Sequence, residues 1–256
     1  MNLSEIAQAL QSAAAEVRPV PAFSLAHPQF SLEEAYQVQS IGLESALARG
    51  AKLCGYKMGL TSRAKQKDVN VHEPIRGYLL SQMEVTKSEP VSTKNRIHPR
   101  VEPEVAVILK SRLAGPNVSL HDVEQAIGVV TPALEILDSR YESFQFQLPD
   151  VVADNTSASG FILGGQNWIE QLRELRLFGV TVKHNGVIVE TGCPAAVMGD
   201  PLLSVVALAR ALAKENKAIE PGMVVLTGGI TTSVSFKAGD FIEVVWPTET
   251  MSFMAE

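Results

Sequence analysis

The chain has 256 residues, of which 46% are hydrophobic and 20% are charged, a composition typical of a globular protein with one or two domains. Its formal net charge of -6 argues against nucleic-acid binding, which requires a basic face. The first twenty residues lack a signal-peptide pattern, and no apolar run approaches the ~20 residues that cross a bilayer. We therefore expect a cytoplasmic protein without membrane contact, and the two distant cysteines fit a reducing compartment.

Two helices are predicted in the first fifty residues. Apolar residues recur at helical spacing after Ser4, which we predict to be the N-cap of the first helix. The stretch SLEEAYQVQSIGLESALARG contains a capping box formed by Ser31 and Glu34, and Gly50 stands where a C-terminal glycine belongs. We therefore expect a small N-terminal helical subdomain over residues 1–52.

Short runs rich in valine and isoleucine dominate the remainder of the chain. They include EVAVILK, GVTVKHNGVIVETG, GMVVLTGGI and DFIEVVW, and the pair Asn185 and Gly186 predicts a β-hairpin in the second of them. Further helices are predicted in SLHDVEQAIGVV and PLLSVVALARALAKEN. Because strands and helices do not alternate regularly, we expect an α+β fold with a β-rich catalytic core over residues 53–256.

Two carboxylates, Glu102 and Glu104, lie in the predicted strand HPRVEPEVAVIL. Side chains alternate between the two faces of a strand, so both carboxylates point the same way, together with Arg100. Pro103 cannot donate to a ladder, which predicts an edge or a bulge at this position. One interpretation is a solvated strand edge with surface glutamates. The other is a binding site, because apolar residues occupy both faces of the strand further along.

A third isolated carboxylate, Glu135, lies in the apolar run VVTPALEILDSRY. Three such carboxylates can form a hard oxygen site for Mg²⁺ or Mn²⁺, with positions left for water or substrate. Nothing in the local pattern brings Glu135 close to Glu102 and Glu104, so the three-ligand site is a hypothesis at this point.

Three further stretches carry candidate polar groups. Lys57, in GYKMGLTS, is either a cation that supports an anionic substrate or a lysine whose head group reaches solvent. Asp154 and Asn155 follow an apolar run in VVADNTSASG and are equally typical of a turn. The adjacent Gly228 and Gly229 in LTGGIT bring backbone amides close to a carboxylate or form a tight β-turn. The sequence has no phosphate-loop or dinucleotide motif, so no organic cofactor is expected.

Five stretches follow one another along the chain: GYKMGLTS, HPRVEPEVAVIL, PALEILDSRY, VVADNTSASG and LTGGITTSVSFKAGD. Together they resemble the hydratase/decarboxylase family of meta-cleavage aromatic catabolism, which is distantly related to fumarylacetoacetate hydrolase. The resemblance covers nearly the whole chain. It implies a mixed, strongly curved β-core wrapped by helices, and a homo-oligomer. It also implies a metal site, usually for Mg²⁺ with Mn²⁺ as a substitute, at Glu102, Glu104 and Glu135.

The resemblance implies further site residues, because the family's active-site lysine falls on Lys57. Three carboxylates, one Mg²⁺ and a dianionic substrate sum to about -3 in formal charge, so the site needs cations. Lys57 is the first candidate and should be an ammonium, and Arg140 is the second unless it forms a structural ion pair. Catalytic roles are expected for Lys57, Asp154 and Arg140. Substrate contacts are expected from Lys57, Leu60, Thr227, Gly228 and Gly229.

Within the family, KMGLTS, DSRY and TGGIT resemble the decarboxylase branch, which acts on a small dianionic 2-oxo acid. The expected reaction is the Mg²⁺-dependent decarboxylation of 2-oxohex-3-enedioate to 2-hydroxypenta-2,4-dienoate and CO₂. The alternatives are the 2-hydroxypenta-2,4-dienoate hydratase of the same family and a non-catalytic subunit that stabilises an active partner. The resemblance also implies a complex with the pathway hydratase. Asp200 stands where the family commonly has a histidine, and we predict that it caps a helix.

Overall fold

The computed structural model describes residues 2–62, 66, 73–87 and 89–256. Its helices are α1 (Leu3–Glu16), α2 (Phe23–Ala26), α3 (Leu32–Ala48), α4 (Leu120–Ala126), α5 (Leu148–Ala153) and α6 (Leu202–Ala213). Its strands are β1 (Leu53–Gly59), β2 (Ile75–Leu80), β3 (Arg100–Leu109), β4 (Ile127–Leu137), β5 (Ala158–Leu163), β6 (Val180–His184), β7 (Val187–Gly192), β8 (Val224–Leu226), β9 (Val234–Ser235), β10 (Phe241–Val245) and β11 (Thr250–Met254). None of the described helices is both long and apolar enough to cross a membrane.

Most strands belong to one mixed sheet with the order β2-β1-β8-β3-β4-β5, in which β9 also pairs with β3. Strands β1 and β8 run parallel, and the other paired strands are antiparallel. The two ends of this sheet, β2 and β5, contact each other, so the sheet curls into a half barrel. A second, antiparallel sheet has the order β11-β10-β6-β7. The predicted α+β fold, with a mixed and strongly curved β-core and surrounding helices, is confirmed.

The two faces of the curled sheet bury different side chains. The outer face packs against α6 and the second sheet in a large apolar cluster, which includes Val105, Val107, Val205, Leu208, Val244 and Phe253. The inner face carries a smaller apolar cluster, formed by Leu79, Ala106, Ala133, Phe161, Val224 and Leu226, in which the two alanines lie closest to Glu104 along the strands. Residues two apart on a strand share a face, so Glu102 and Glu104 lie on the inner face with Ala106. Small neighbours leave room there for polar groups.

Helices α1 and α3 pack against each other and against the β-core. Asn2 caps α1, and not Ser4 as predicted, because the Asn2 side chain accepts hydrogen bonds from the amides of Ser4 and Glu5. The capping box of Ser31 and Glu34 at the start of α3 is confirmed. The predicted subdomain boundary at residue 52 stays a prediction. Both helices share one apolar cluster with the rest of the chain, formed by Ile6, Leu10, Ala35, Val38, Ile75, Tyr141 and Val152.

Two local predictions hold in part. The helix predicted from Ser119 forms over Leu120–Ala126 and ends there, because the residues that follow form β4. Pro103 is paired on one side of its strand, with Leu134 of β4. On its other side, β3 changes partner from β9 at Val101 to β8 at Ala106, and Pro103 falls in the interval. A residue without an amide proton therefore stands where neither strand requires one.

Two other local predictions agree with the structure. The turn at Asn185 and Gly186 joins β6 to β7, and both residues have positive φ, which this tight hairpin requires. The carboxylate of Asp200 accepts a hydrogen bond of 2.9 Å from the amide of Leu202, the first residue of α6. Asp200 thus acts as the predicted cap.

A buried ion pair between Arg140 and Asp154 links the end of β4 to the segment before β5. The Arg140 backbone amide donates to the Asp154 carboxylate over 3.0 Å, and the guanidinium Nε donates to the same carboxylate. The guanidinium also donates to the carbonyls of Asp138, Asp154 and Ala158. Burial raises the pKa of Asp154 to about 6, while Arg140 opposes this rise. The Arg140 carbonyl accepts a hydrogen bond of 2.9 Å from Val20, so the pair also anchors the N-terminal segment.

We expect Asp154→Asn to destabilise the fold strongly. The substitution leaves the Arg140 guanidinium buried without its counter-charge, and breaking a buried pair in this way costs about 3–5 kcal/mol of unfolding free energy. Urea denaturation measures the loss. The matched control is Glu220→Gln, which breaks the exposed pair of Arg112 and Glu220, 3.0 Å apart, and should cost less than about 1 kcal/mol. Equal effects of the two substitutions would contradict a structural role for the buried pair.

Candidate active site

The structure brings the three predicted carboxylates together on the inner face of the curled sheet. Glu102 on β3 stands directly opposite Glu135 on β4, and Glu104 lies two residues further along β3 on the same face. One oxygen from each of the three carboxylates lies within 4.8 Å of the others. Glu104 and Glu135 are completely buried, and Glu102 is partly exposed. The alternative of surface glutamates on a solvated strand edge is therefore wrong.

The buried carboxylates are short of hydrogen-bond donors. The Gly228 amide donates to Oε2 of Glu104 over 2.7 Å. Oε1 of Glu104 and both oxygens of Glu135 accept no hydrogen bond from the described residues. Burial and the neighbouring Glu135 raise the pKa of Glu104 well above its usual value. Burial also raises the pKa of Glu135, although Lys57 opposes the rise. Both directions indicate that this cluster needs a cation.

A divalent metal ion fits this donor set. Carboxylate oxygens are hard ligands that suit Mg²⁺ and Mn²⁺. Ligand oxygens on one Mg²⁺ lie about 2.9–4.2 Å apart, as follows from Mg–O distances of 2.0–2.1 Å. Small movements of Glu102, Glu104 and Glu135 would bring their oxygens from within 4.8 Å to this spacing. The unpaired oxygens would then be satisfied as ligands.

Among the described residues, Lys57 is the cation that pairs with these carboxylates. It extends from β1, is 3% exposed, and its Nζ lies 3.1 Å from Oε2 of Glu135. Nζ also donates a hydrogen bond of 3.0 Å to the carbonyl of Thr156. Burial lowers the pKa of Lys57, but Glu135, Glu104 and Glu102 together outweigh it, so the net shift is upward. This direction agrees with the prediction that Lys57 is an ammonium.

The backbone that receives Lys57 is in an unusual conformation. Asn155, Thr156 and Ser157 have φ values of 49°, 53° and 58°, which residues other than glycine rarely adopt. Hydrogen bonds hold the segment in place: the Asn155 side chain pairs with both backbone groups of Tyr78, at 2.8 and 3.0 Å, and the Thr156 hydroxyl donates to the Arg76 carbonyl over 2.9 Å. Strained backbone of this kind concentrates at functional sites.

Two glycines allow the strained segment to approach the sheet. A Cβ on Gly77 would lie 2.6 Å from the carbonyl oxygen of Asn155, and a Cβ on Gly59 would lie 2.8 Å from Cγ2 of Thr156. Gly77 also stands opposite Lys57 in the pairing of β1 with β2. Side chains at these positions would push the Thr156 carbonyl away from the lysine. The position of Lys57 therefore depends on glycine at these two positions as well as on its contacts with Thr156 and Glu135.

Lys57 and Glu102 open onto a cavity of about 180 Å³. This volume lies below the ~300–1,000 Å³ of drug-sized pockets and suits a small acid. The polar residues that line it are Lys57, Thr61, Ser62, Glu102, Thr156, Ser157 and Ser233. The apolar residues that line it are Leu60, Ile75, Leu137, Phe144, Phe146 and Val151. Arg100 stacks on the Phe144 ring with its guanidinium carbon 4.0 Å from the ring centroid.

The predicted substrate-binding residues fall into two groups. Leu60 and Gly229 line the cavity together with Lys57, and Leu60 has an unusual φ of 52°. A Cβ on Gly229 would collide with the Glu102 carboxylate, so this position requires glycine. Gly228 holds Glu104, and the buried Thr227 donates from its amide and its hydroxyl to Val105, over 3.0 and 2.9 Å. The contacts of Gly228 and Thr227 hold Glu104 and the neighbouring backbone of β3 in place. Contact between these two residues and substrate stays a prediction.

Arg140 and Asp154 do not line this cavity. They bond to each other and line a separate cavity of about 160 Å³ beside α1 and α3. The structure therefore gives no contact that supports their predicted catalytic roles, which stay predictions. The open alternative that Arg140 forms a structural ion pair is what the structure shows. Asp154 stabilises the turn that carries the Thr156 carbonyl, since its own carbonyl accepts the Ser157 amide at 2.9 Å.

Several residues of the cavity wall were not identified from the sequence. Thr156 and Ser157 lie in VVADNTSASG, where small polar residues indicate only a turn. Phe144 and Phe146 lie in the polar stretch RYESFQFQ. Two aromatic side chains in a polar loop were a usable signal, because such groups are buried against something in most proteins.

Comparisons with known proteins identify relatives of this chain. No family model matches the sequence. The chain is 40% identical over 239 residues to 4-oxalocrotonate decarboxylase of Pseudomonas sp. strain CF600, a match that covers 93% of this chain and 90% of the relative. It is 37% identical over 245 residues to 2-oxo-hept-4-ene-1,7-dioate hydratase of Escherichia coli, with 93% and 92% coverage.

Solved structures give the same picture. The structure of 4-oxalocrotonate decarboxylase from Pseudomonas putida G7, complexed with magnesium and adipate, has a TM-score of 0.95, 38% identity, and coverage of 99% of this chain and 97% of that chain. Fumarylpyruvate hydrolase from Pseudomonas aeruginosa has a TM-score of 0.63 at 12% identity, covers 78% of this chain and 88% of that chain, and shares the fold alone. The chain belongs to the hydratase/decarboxylase family of meta-cleavage aromatic catabolism, which is related to fumarylacetoacetate hydrolase.

Proposed function

We propose that this chain is a Mg²⁺-dependent decarboxylase that converts 2-oxohex-3-enedioate to 2-hydroxypenta-2,4-dienoate and CO₂. The observation that carries the proposal is the buried cluster of Glu102, Glu104 and Glu135 beside Lys57, in a chain 40% identical to a 4-oxalocrotonate decarboxylase along 93% of its length. The related decarboxylase structure contains magnesium and a six-carbon diacid, adipate. A diacid of the same length is the substrate that we assign here.

The three glutamates would hold the metal ion. When bound, Mg²⁺ supplies a Lewis acid next to the 2-oxo group, where negative charge develops as CO₂ leaves. In the reaction the bond to the far carboxylate breaks, and its electron pair moves through the conjugated chain to the 2-oxo oxygen. The Gly228 amide donates to the Glu104 carboxylate, and the Thr227 hydroxyl donates to the carbonyl of the next residue, Val105. These two hydrogen bonds hold the carboxylate in position before substrate arrives. Preorganised charge of this kind favours the transition state.

Lys57 balances the negative charge of the site. With three carboxylates and a dianion around one Mg²⁺, the formal charge is about -3, and one ammonium reduces it to about -2. The lysine has three donors: one donates to the Thr156 carbonyl, and the ammonium forms an ion pair with Glu135 at 3.1 Å without a hydrogen bond. We infer that a remaining donor contacts an oxygen of the substrate, where it stabilises the charge that forms during CO₂ loss.

The apolar part of the cavity supports decarboxylation. With the 2-oxo acid end at the glutamates, the rest of the substrate extends along Ile75, Leu137, Phe144, Phe146 and Val151. A carboxylate loses favourable hydration among such side chains, whereas neutral CO₂ does not require it. Addition of water to the chain would instead need a polar group that positions the water molecule. The apolar side chains therefore support loss of CO₂, while polar ones in the same cavity, such as Thr61 and Ser62, leave hydration as the second candidate.

Hydration of 2-hydroxypenta-2,4-dienoate is the second candidate function. It is supported by 37% identity to the Escherichia coli hydratase and 33% identity to 2-keto-4-pentenoate hydratase of Paraburkholderia xenovorans strain LB400. Homo-oligomerisation and association with a pathway hydratase stay predictions. An apolar surface for such contacts is present on β7, where the consecutive side chains of Val187, Ile188 and Val189 are exposed.

The purified chain should release CO₂ from 2-oxohex-3-enedioate in the presence of Mg²⁺ and should not add water to 2-hydroxypenta-2,4-dienoate. Both substrates are offered to the chain alone, and CO₂ release and loss of dienoate absorbance are followed. A chelator should abolish CO₂ release. Hydration without CO₂ release would make this chain a hydratase. Inactivity that is relieved only by a partner enzyme would make it a non-catalytic subunit.

Glu104→Gln should weaken Mg²⁺ binding at least about tenfold, because it removes one charged ligand. Calorimetric titration measures the affinity. Without Mg²⁺, the melting temperature should not fall, since burial beside Glu135 already disfavours the charge of Glu104. The control is Glu124→Gln on the exposed face of α4, which should bind Mg²⁺ as the wild type does. Unchanged affinity in Gln variants of all three glutamates would refute the ligand assignment.

Lys57→Met should lower kcat and kcat/KM together, by about 100-fold or more, if the ammonium acts mainly in the transition state. Mg²⁺ affinity should be kept or increased, because the substitution removes a positive charge near the ion. Steady-state kinetics and calorimetry test both statements. The matched control is Lys183→Met, which removes a lysine paired with Glu243 on the second sheet, 2.9 Å apart. A rise in KM alone would mean that Lys57 only anchors substrate, and wild-type kinetics would exclude it from the chemistry.

A further inference from the structure

One buried hydroxyl in the cavity wall has no hydrogen-bond partner among the described residues. Ser157 is 3% exposed, and its Oγ bonds to none of the described residues. The residue lines the same cavity as Lys57, Glu102, Thr156 and Gly229. Buried hydroxyls are hydrogen-bonded in most native structures, so an unpaired one requires an explanation.

Both backbone groups of Ser157 are hydrogen-bonded, in contrast to its side chain. Its amide donates to the Asp154 carbonyl over 2.9 Å, and its carbonyl accepts the Asp138 amide at 2.9 Å. The main chain is therefore fully paired, and only the side chain is left over. Ser157 is also the third residue of the left-handed segment, with a φ of 58°. The fold keeps a strained backbone at a position where it gains no internal hydrogen bond from the side chain.

The neighbouring hydroxyls behave differently. Thr156 Oγ1 donates to the Arg76 carbonyl over 2.9 Å, and Thr227 Oγ1 donates to the Val105 carbonyl over 2.9 Å. Both serve the backbone and position other groups. Ser157 instead lines the cavity that Lys57 also lines, and its hydroxyl is left without a partner among the described residues. A hydroxyl and an ammonium that line one cavity are two donors that suit a carboxylate or a carbonyl oxygen.

We propose that Ser157 is a further substrate-binding residue, whose hydroxyl donates a hydrogen bond to an oxygen of the bound 2-oxo acid. The proposal rests on the proposed function, because it takes the cavity to be the site of that acid. Ser157 lies outside the carboxylate cluster and is not a metal ligand. Its contact is made in the bound substrate as well as during the reaction, so its loss should act on substrate affinity.

The test compares Ser157→Ala with Ser204→Ala. Ser204 is also completely buried, but it lies in α6 and donates to the Pro201 carbonyl over 2.8 Å. Ser157→Ala should raise KM about 10- to 100-fold with kcat nearly kept, as expected when a hydrogen bond to a charged group is lost. It should leave Mg²⁺ affinity unchanged and should not lower the melting temperature, because it removes an unpaired hydroxyl. Ser204→Ala should show the reverse, with a lower melting temperature and wild-type kinetics.

A second variant separates the hydroxyl from the backbone strain. Ser157→Gly removes the hydroxyl and also places a residue that tolerates positive φ at this position. It should melt at a higher temperature than the wild type and show the same rise in KM as Ser157→Ala. Binding of adipate in the presence of Mg²⁺, measured by calorimetry, should weaken about tenfold in both variants.

Wild-type KM and wild-type adipate affinity in Ser157→Ala would overturn the proposal. Failure of the proposed function has a different signature. If the wild type hydrates 2-hydroxypenta-2,4-dienoate and releases no CO₂, the decarboxylase assignment is wrong, and the serine variants are then compared on the dienoate. A rise in KM for that substrate would keep Ser157 as a substrate contact, and an unchanged KM would remove it.

Discussion

The burial of three carboxylates beside one lysine is the constraint on which the rest of the site depends. Glu104 and Glu135 are completely buried, and Lys57 can balance only one of the charges. Like charges repel strongly in the interior of a protein, where water does not screen them. Without a further cation the cluster is unfavourable, so binding of a divalent ion is coupled to the stability of the curled sheet. The upward pKa shifts of both glutamates express the same imbalance.

The curled sheet makes room for the carboxylates and the lysine by placing glycines at three positions around them. Gly59 and Gly77 let the left-handed segment reach Lys57, and Gly229 makes room for the Glu102 carboxylate. The same segment supplies the Thr156 carbonyl, which holds the ammonium next to Glu135. The lysine on β1 is therefore fixed by contacts from β4 and from the segment before β5. Its position depends on the curvature of the sheet and cannot be separated from the fold.

The sequence predicted the features that depend on local rules. Glu102 and Glu104 share a face because side chains alternate along a strand, and this holds for any pairing of that strand. The position of Glu135 opposite Glu102 depends on the register between β3 and β4, which packing of the whole sheet determines. The local pattern offered Glu135 only as a hypothetical third ligand, and the family resemblance assigned it. Arg140 is near Glu135 in sequence, yet the chain leaves the strand after Leu137, and the guanidinium pairs with Asp154 instead.

The polar groups of this molecule divide according to whether the fold satisfies them. Arg140 and Asp154 are buried, and their charges are met by each other and by backbone carbonyls. Groups paired in this way hold the frame, and little of their bonding capacity is left for a ligand. In the cavity, oxygens of Glu104 and Glu135 and the hydroxyl of Ser157 lack partners among the described residues. Leaving such groups unpaired is unfavourable for folding. The arrangement is therefore best explained by metal and substrate, which supply in the complex the bonds that the folded chain does not make.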